Sequence, residues 1–185
     1  MAAGASVGDR HIRPDTGPDG GRTGGGWWDG RVDLDSLPPR WVTLTATSDG
    51  LPVITLVDEA VALAAPFASH PVQVGLGVHL NEPDELGQPG ELDRPLLRSF
   101  EQALVDAFGS EARLVSSLTL QGVREYVAYA RSTDVLERWQ AEPPPGLDTH
   151  DVQVFAIDDP TWKGLREIAG LLEPGEEPLR PDELD

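Results

Sequence analysis

The stretch LTLQGVREYVAYA, residues Leu118 to Ala130, is typical of two strands joined by a tight turn at Gln121-Gly122. It places Arg124 and Glu125 side by side just after that turn. Neighbouring side chains of a strand point to opposite faces of its sheet, so the two charges must lie on different faces. If a layer covers one face, the inward charge needs a partner, because an unpaired buried charge is costly.

One side of the second strand in this stretch is more apolar than the other, and we expect helices to cover it. That side consists of Val123, Glu125, Val127 and Tyr129. Glu125 would then be the inward charge, held by backbone N–H groups or by an arginine. Three arginines are candidates for this role, and the sequence does not choose between Arg98, Arg131 and Arg138.

The other side of the same strand carries Arg124 and Tyr126, which we expect on an open face of the sheet. An earlier strand, Val72 to Leu80, has a polar side with Gln73 and His79 that could join them. These four side chains together could bind a carboxylate or a phosphate. The alternative is that Arg124 pairs with a surface acid of the chain itself, where an ion pair contributes little stability.

From Val72 onward the pattern predicts strand, helix, strand, strand, helix and strand. The first helix is predicted to have Asp93 as its N-cap and to end before Gly109. This order indicates an α+β fold, a ferredoxin-like split βαβ antiparallel sheet with both helices on one face. An N-terminal β-hairpin, residues 41–58 with its turn at Asp49-Gly50, would extend the sheet or cover its free face.

The C-terminal helix is predicted from the motif Asp159-Pro160-x-Trp162. Either Asp158 or Asp159 would cap it, Pro160 would occupy its first position, and Trp162 would anchor it in the core. The motif thus has a structural explanation, which leaves little room for a catalytic role.

The chain divides into three parts by composition. Residues 1–40 are rich in Gly, Asp, Arg and Pro and are predicted to be mostly disordered, residues 41–172 form one α+β domain, and residues 173–185 are an acidic tail. The adjacent Trp27 and Trp28 in the arm could dock on the domain or on a partner.

The charge restricts the partners. With 14 Lys and Arg against 32 Asp and Glu, the formal net charge is -18, which disfavours direct nucleic-acid binding and attachment to anionic membranes. A basic protein or a cationic ligand is favoured, and solubility alone is the alternative explanation. No apolar run reaches membrane-spanning length and the N-terminus lacks an export signal, so we expect a cytoplasmic protein.

The sequence lacks the residues that several kinds of catalytic site and metal site require. The chain has no cysteine, and its four histidines are scattered without metal-ligand spacing, so neither a metal site nor a cofactor is predicted. Its serines lie outside any Gly-x-Ser-x-Gly context, and its single lysine, Lys163, is expected on the exposed side of a helix. No catalytic residue is therefore predicted.

The chain resembles the bacterial family catalogued as domain of unknown function 695 over roughly residues 41–172. The residues that carry this resemblance are Gly122, Arg124, Glu125, Tyr126, Tyr129, Asp159, Pro160 and Trp162. The family implies a fold but no established activity. Some relatives are similar to the regulator of ribonuclease activity B, an acidic ferredoxin-like protein that inhibits an endoribonuclease by binding it.

Two hypotheses of function follow. The first is a non-enzymatic regulatory or interaction module that binds a basic protein. The second is a domain that binds a small anion, or is weakly catalytic, at Arg124, Tyr126, His79 and Gln73.

Overall fold

The structure is a computed structural model that describes residues 32–142 and 149–172. The predictions for Trp27 and Trp28, for the arm before residue 32 and for the acidic tail lie outside the described residues. The described residues belong to one compact unit.

The described residues form a mixed α/β fold, in which six strands make one antiparallel sheet and four helices pack on it. The sheet order is β1-β2-β4-β5-β3-β6. The strands are β1 (Trp41–Ser48), β2 (Leu51–Asp58), β3 (Val72–His79), β4 (Ala112–Leu120), β5 (Val123–Ala130) and β6 (Val152–Asp158). The helices are α1 (Glu59–Ala64), α2 (Asp93–Phe108), α3 (Asp134–Ala141) and α4 (Lys163–Ala169).

Two tight turns set the registers of neighbouring strands. β1 and β2 meet at Asp49-Gly50, and β4 and β5 meet at Gln121-Gly122. All four turn residues have positive φ, between 50° and 82°. Such turns match the right-handed twist of antiparallel strands, which explains the preference for Gly at the second position.

One face of the sheet is covered by α2 and α3. The apolar stripe of α2 packs on the middle of β3, β4 and β5, and Phe100 of α2 stacks on Tyr126 with ring centroids 5.6 Å apart. Phe108 of α2 stacks in turn on Trp139 of α3 at 5.0 Å. The two helices thus share one core with a single side of the sheet.

The opposite face has its own core, built from α1, α4 and the segment before β1. Trp162 is completely buried there, and its ring lies parallel to that of Tyr129 with centroids 3.7 Å apart. Its indole Nε1 donates to the carbonyl of His70 at 3.0 Å. The expectation of an open face beside β5 is therefore wrong, because α2 and α3 cover its Tyr126 side while α4 and the unpredicted α1 cover its Tyr129 side.

Helix starts also differ from the predictions. Asp93 is the first residue of α2, and its carboxylate bonds backward to the N–H groups of Asn81 and Glu82. Likewise α4 begins only at Lys163, after Pro160, and Asp159 accepts the Lys163 N–H from outside the helix. In both cases the aspartate holds a loop as well as a helix end.

The fold includes residues that were predicted to be disordered. Leu34 lies in a short 3₁₀ turn, Leu34–Ser36, and is fully buried in the second core, while Leu37 packs against that core. Residues 32–40 were assigned to the disordered arm, and for this stretch the prediction is wrong. A short apolar pair is enough to anchor it because α1 supplies the receiving surface.

A buried ion pair ties this segment to the sheet. The carboxylate of Asp58 is fully buried and accepts from Arg113 Nη2 at 2.8 Å and from the Arg40 N–H at 3.1 Å. A second pair, Arg131 with Asp35, has nearly the same separation of 2.9 Å but both side chains are exposed. The two pairs differ chiefly in burial.

We expect Arg113→Ala to lower the free energy of unfolding by about 3 kcal/mol, because it leaves a buried carboxylate without its cation. Arg131→Ala is the matched control and should cost less than about 1 kcal/mol, since an exposed pair contributes little. Urea unfolding followed by tryptophan fluorescence measures both. Equal losses in the two variants would show that burial does not govern the Asp58 pair.

Candidate functional site

Arg124 lies at the centre of a polar cluster beneath α2. Its Nε donates to the Tyr126 hydroxyl at 3.1 Å, Nη1 to Thr119 Oγ1 at 3.0 Å and Nη2 to Ser117 Oγ at 2.9 Å. Glu101 of α2 is farther away, with 3.9 Å between its Oε2 and Arg124 Nη2. We call these five residues the Arg124 cluster. The inward charge of the opening stretch is therefore Arg124, satisfied mainly by hydroxyl groups.

Strand register explains how the cluster forms. Ser117 is opposite Tyr126, and Thr119 is opposite Arg124, across the β4–β5 pair. Cross-strand partners project to the same face, so two hydroxyl side chains of β4 come to lie beside the guanidinium. The sequence contained this signal, since Ser117 and Thr119 alternate in LVSSLTL at the same distance from the turn as Tyr126 and Arg124.

The electrostatics of the cluster are unusual for an acidic chain. The Arg124 side chain is only 12% exposed, and its three hydrogen bonds in the cluster go to neutral oxygens. Burial raises the pKa of Tyr126 to about 12, although Arg124 opposes the shift, so the phenol stays neutral at physiological pH. A guanidinium has five N–H donors, and three are used here. Two N–H groups remain for an anionic group, and the acid of the cluster, Glu101, lies nearest to them.

The four side chains of the predicted anion-binding site do not lie together in the structure. Arg124 and Tyr126 are opposite Val78 and Leu76 of β3, on the face covered by α2. Gln73 and His79 project to the other face of the sheet. The prediction wrongly placed the polar side of β3 on the same face as Arg124 and Tyr126. The two sides of β5 carry nearly equal numbers of apolar residues, so counting them did not identify the correct face.

Glu125 points to the face opposite Arg124 and is partly buried near the end of its strand. Burial raises the pKa of its carboxyl group. Within the described residues no hydrogen bond or ion pair to its side chain is found. The expected arginine partner is not observed, and Arg131 bonds to Asp35 instead. Glu125 is thus a desolvated acid tolerated at the margin of the second core.

The remaining motif residues are explained by packing. Tyr129 donates to Asp159 Oδ2 at 2.7 Å, and the Thr161 hydroxyl donates to Oδ1 at 2.9 Å. Burial by itself would raise the pKa of Asp159, but these bonds and the Lys163 N–H hold it below its usual range. Tyr129, Asp159 and Trp162 form one hydrogen-bonded and stacked unit that fixes α4 on the sheet.

Sequence reasoning missed a buried pair of Asp93 and His150. His150 Nε2 lies 3.4 Å from Asp93 Oδ1, and both side chains are fully buried. Asn81 Nδ2 also donates to the Thr149 carbonyl at 3.2 Å. These contacts fasten the loop of residues 81–91 to the start of β6. No local pattern could reveal them, because the partners are far apart in the sequence.

The loop that they fasten carries exposed acids. Glu82, Asp84, Glu85 and Glu91 all lie at the surface, and we call this group the acidic loop. Asp84 organises its turn by accepting from the N–H groups of Leu86 and Gln88. The loop is therefore a fixed array of negative charge that runs from the start of β6, where Asn81 bonds to Thr149, to the β4–β5 turn, where Gly87 O accepts from Gly122 N.

Neither a metal-binding cluster nor a membrane-spanning helix is found among the described residues. They contain no cluster of three or more His, Asp and Glu side chains arranged to hold a metal ion. No helix among them is long and apolar enough to cross a membrane.

Comparison with known proteins identifies a family whose function is unknown. The profile of the family described as "Family of unknown function (DUF695)" matches residues 39–168, which confirms that part of the predicted resemblance. No curated protein and no solved structure matches the chain. The similarity to the regulator of ribonuclease activity B therefore stays a prediction.

We expect Glu125→Gln to be more stable than the native chain at pH 7. Because the folded-state pKa of Glu125 is raised, the native state holds its proton more tightly than the unfolded state, so stability falls as pH rises through about 4.3 and on through the folded pKa. The advantage of the variant should shrink as the pH is lowered toward 4. Urea unfolding between pH 4 and pH 8 measures the difference.

The matched control is Glu85→Gln, an exposed residue of the acidic loop, which should not reproduce the pH-dependent gain. A native chain that matches Glu125→Gln in stability at every pH would show that burial of Glu125 carries no cost.

Proposed function

The chain belongs to the family of unknown function DUF695, and we propose that it is a non-enzymatic, cytoplasmic interaction module that binds a basic protein. The observation that carries the proposal is the net charge of -18. Such a charge attracts cationic partners and repels nucleic acids and anionic membranes.

The use of the basic residues supports this proposal. Arg40, Arg113 and Arg131 are each engaged with an acid of the chain, and Arg124 is largely buried. These cations therefore do little to neutralise acids elsewhere on the surface. The acidic loop keeps its charge exposed while its backbone is held by the β4–β5 turn, since Gly122 N donates to Gly87 O at 3.0 Å. A charge array on a fixed loop binds a partner with little ordering cost.

The fold supports a comparison with acidic regulators. We propose that β3, α2, β4, β5, α3 and β6 form a ferredoxin-like split βαβ unit, extended by β1 and β2 as an N-terminal β-hairpin. The supporting observations are the antiparallel order β4-β5-β3-β6 and the common core of α2 and α3. The regulator of ribonuclease activity B is expected to combine such a sheet with an acidic surface, so inhibition of a basic ribonuclease by binding is one form of the proposal.

Affinity capture from the native cytoplasm, at low and at high salt, tests this function. We expect a basic protein to be recovered at low salt and released at high salt, because screening weakens attraction between exposed charges. The purified partner should then bind the chain with an affinity that falls as ionic strength rises. Mass spectrometry identifies the partner, and titration calorimetry measures its affinity.

A bait with Glu82→Gln, Glu85→Gln and Glu91→Gln is the matched control, since these exposed side chains make no hydrogen bond within the described residues. It should bind the same partner more weakly without loss of stability. A partner that is acidic, or one whose affinity is independent of salt, would contradict the proposal.

A second candidate function is binding of a small anion at the Arg124 cluster. The favouring observation is that the Arg124 guanidinium bonds to three hydroxyl groups while its nearest carboxylate in the cluster, Glu101, lies 3.9 Å away and is 39% exposed. An anion could displace Glu101 and accept the two remaining N–H groups. His79 and Gln73 take no part, because they lie on the other face.

Thermal unfolding in phosphate, sulfate and citrate tests this second function. We expect an anion to raise the melting temperature of the native chain and of Arg98→Gln, an exposed arginine of α2, but not that of Arg124→Gln. Equal shifts in all three proteins would assign the effect to general screening and reject the site.

A further inference from the structure

The outer edge of β6 is unpaired among the described residues, since the sheet ends there. The pattern of its hydrogen bonds follows from two contacts with β3: His79 N donates to Asp151 O, and Asp159 N donates to Pro71 O. Directly opposed residues of antiparallel strands alternate between bonded and non-bonded pairs. The odd-numbered residues of β6 therefore bond to β3, and the even-numbered residues direct N–H and C=O outward.

The outward groups belong to Val152, Val154, Ala156 and Asp158. β6 has no lysine, proline or register shift, the devices with which proteins usually protect an edge strand. It presents instead a row of four free backbone positions, which is the template that an added strand requires.

Apolar side chains lie beside this edge. Phe155 is 42% exposed and Ile157 is 51% exposed, both on the face that α4 leaves uncovered at β6. The Phe155 ring rests on Gly75 of β3, where an added Cβ would lie 2.0 Å from the ring carbon Cζ. The absence of a side chain at Gly75 thus leaves the space in which the ring packs. Phe155 and Ile157 therefore offer a preformed apolar strip to an added strand.

Both ends of β6 carry an exposed acid. Asp151 and Asp158, at the two ends of β6, are exposed. Glu82, at the start of the acidic loop, adjoins the Asp151 end, because its N–H bonds to Asp93, which contacts His150, and Asn81 Nδ2 bonds to the Thr149 carbonyl. An extended segment on this edge would meet negative charge at both ends. Complementarity therefore calls for lysine or arginine flanking a short apolar stretch.

The same charges argue against two other pairings. In an antiparallel pair of two β6 strands centred on Phe155, Asp151 would lie opposite Asp159 and Val152 opposite Asp158, which brings acids of two chains of net charge -18 together. The other edge of the sheet, β1, has no acid within the strand, and the Arg40 that precedes it is paired with Glu59, so this edge offers fewer acids to a basic segment. The described structure thus favours β6 and a foreign strand.

We propose that the β6 edge binds an extended basic segment of a partner by β-strand addition, with Phe155 and Ile157 contacting its alternate side chains and Asp151, Asp158 and Glu82 contacting its cationic ends. This inference rests on the proposed function and names the surface and the form of the partner. Backbone bonds give affinity in this mode, and the flanking charges select the segment.

Amide hydrogen exchange of the intact chain, followed by NMR, tests the surface directly. The probe is a short synthetic peptide in which threonine and valine alternate between paired arginines. In the free chain the Val154 and Ala156 amides should exchange quickly and the Phe155 amide slowly. The peptide should slow exchange at Val154 and Ala156 by at least about tenfold, whereas a peptide with glutamates in place of the arginines should not.

Ala156→Pro removes an outward N–H without removing a bond to β3, and proline is tolerated on edge strands. It should weaken binding of the basic peptide by about tenfold or more. Thr45→Pro is the matched control on the β1 edge. Thr45 faces outward there, because the two-residue turn bonds Ser48 to Leu51 and alternation follows from that pair. It should change the affinity by less than about twofold.

The outcomes separate this inference from the proposed function. Salt-dependent peptide binding that Ala156→Pro does not weaken, or that leaves Val154 and Ala156 unprotected, overturns the edge and leaves the acidic interaction module intact. Failure of the peptide to bind the native chain while a captured basic protein still binds also overturns the edge. A dimer of the native chain that Ala156→Pro abolishes assigns the edge to a second copy and rejects the basic segment. Failure of every basic polypeptide rejects both proposals.

Discussion

The rest of the structure depends on the fact that β5 is covered on both faces. Its even-numbered side chains lie under α2 and α3, and two of its odd-numbered ones, Val127 and Tyr129, enter the core under α1 and α4. Each polar group of the strand must therefore find a partner inside the fold or lie at its margin. Arg124 finds hydroxyl groups of β4, Tyr129 finds Asp159, and Glu125 lies where the second core ends.

The two tyrosines show how this constraint joins the layers. Tyr126 stacks under Phe100 of α2, and its hydroxyl accepts from Arg124. Tyr129 stacks on Trp162 beside α4, and burial together with its bond to Asp159 raises the pKa of its phenol. Each ring gives apolar contact to one helical layer, and each hydroxyl meets a charged residue. The family motif around β5 is therefore explained as the connection between the sheet and its two layers.

Much of this arrangement follows from local signals, and the errors have identifiable causes. Turn residues and alternation predicted the strands of LTLQGVREYVAYA, and helical spacing predicted α2. The sides of β5 were exchanged because the choice relied on counting apolar residues, whereas Tyr126, Ala128 and Ala130 form the more completely buried side. α1 is only six residues long, too short for a periodic pattern, and its omission left one face of the sheet seemingly open. The pairs Asp58 with Arg113 and Asp93 with His150 join distant residues, so no local window contains them.

Covering both faces also limits where the protein can act. The middle of the sheet, which would hold a ligand if one face were open, is filled by side chains, and the Arg124 cluster admits at most a small anion in place of Glu101. Recognition of anything larger must use the loops and the strand edges. The exposed acids of the acidic loop and the free backbone of β6 occur on just these parts, and the Asp93–His150 contacts hold the two together. The same packing thus leaves the loops and the β6 edge as the exposed surfaces on which the proposed partner would bind.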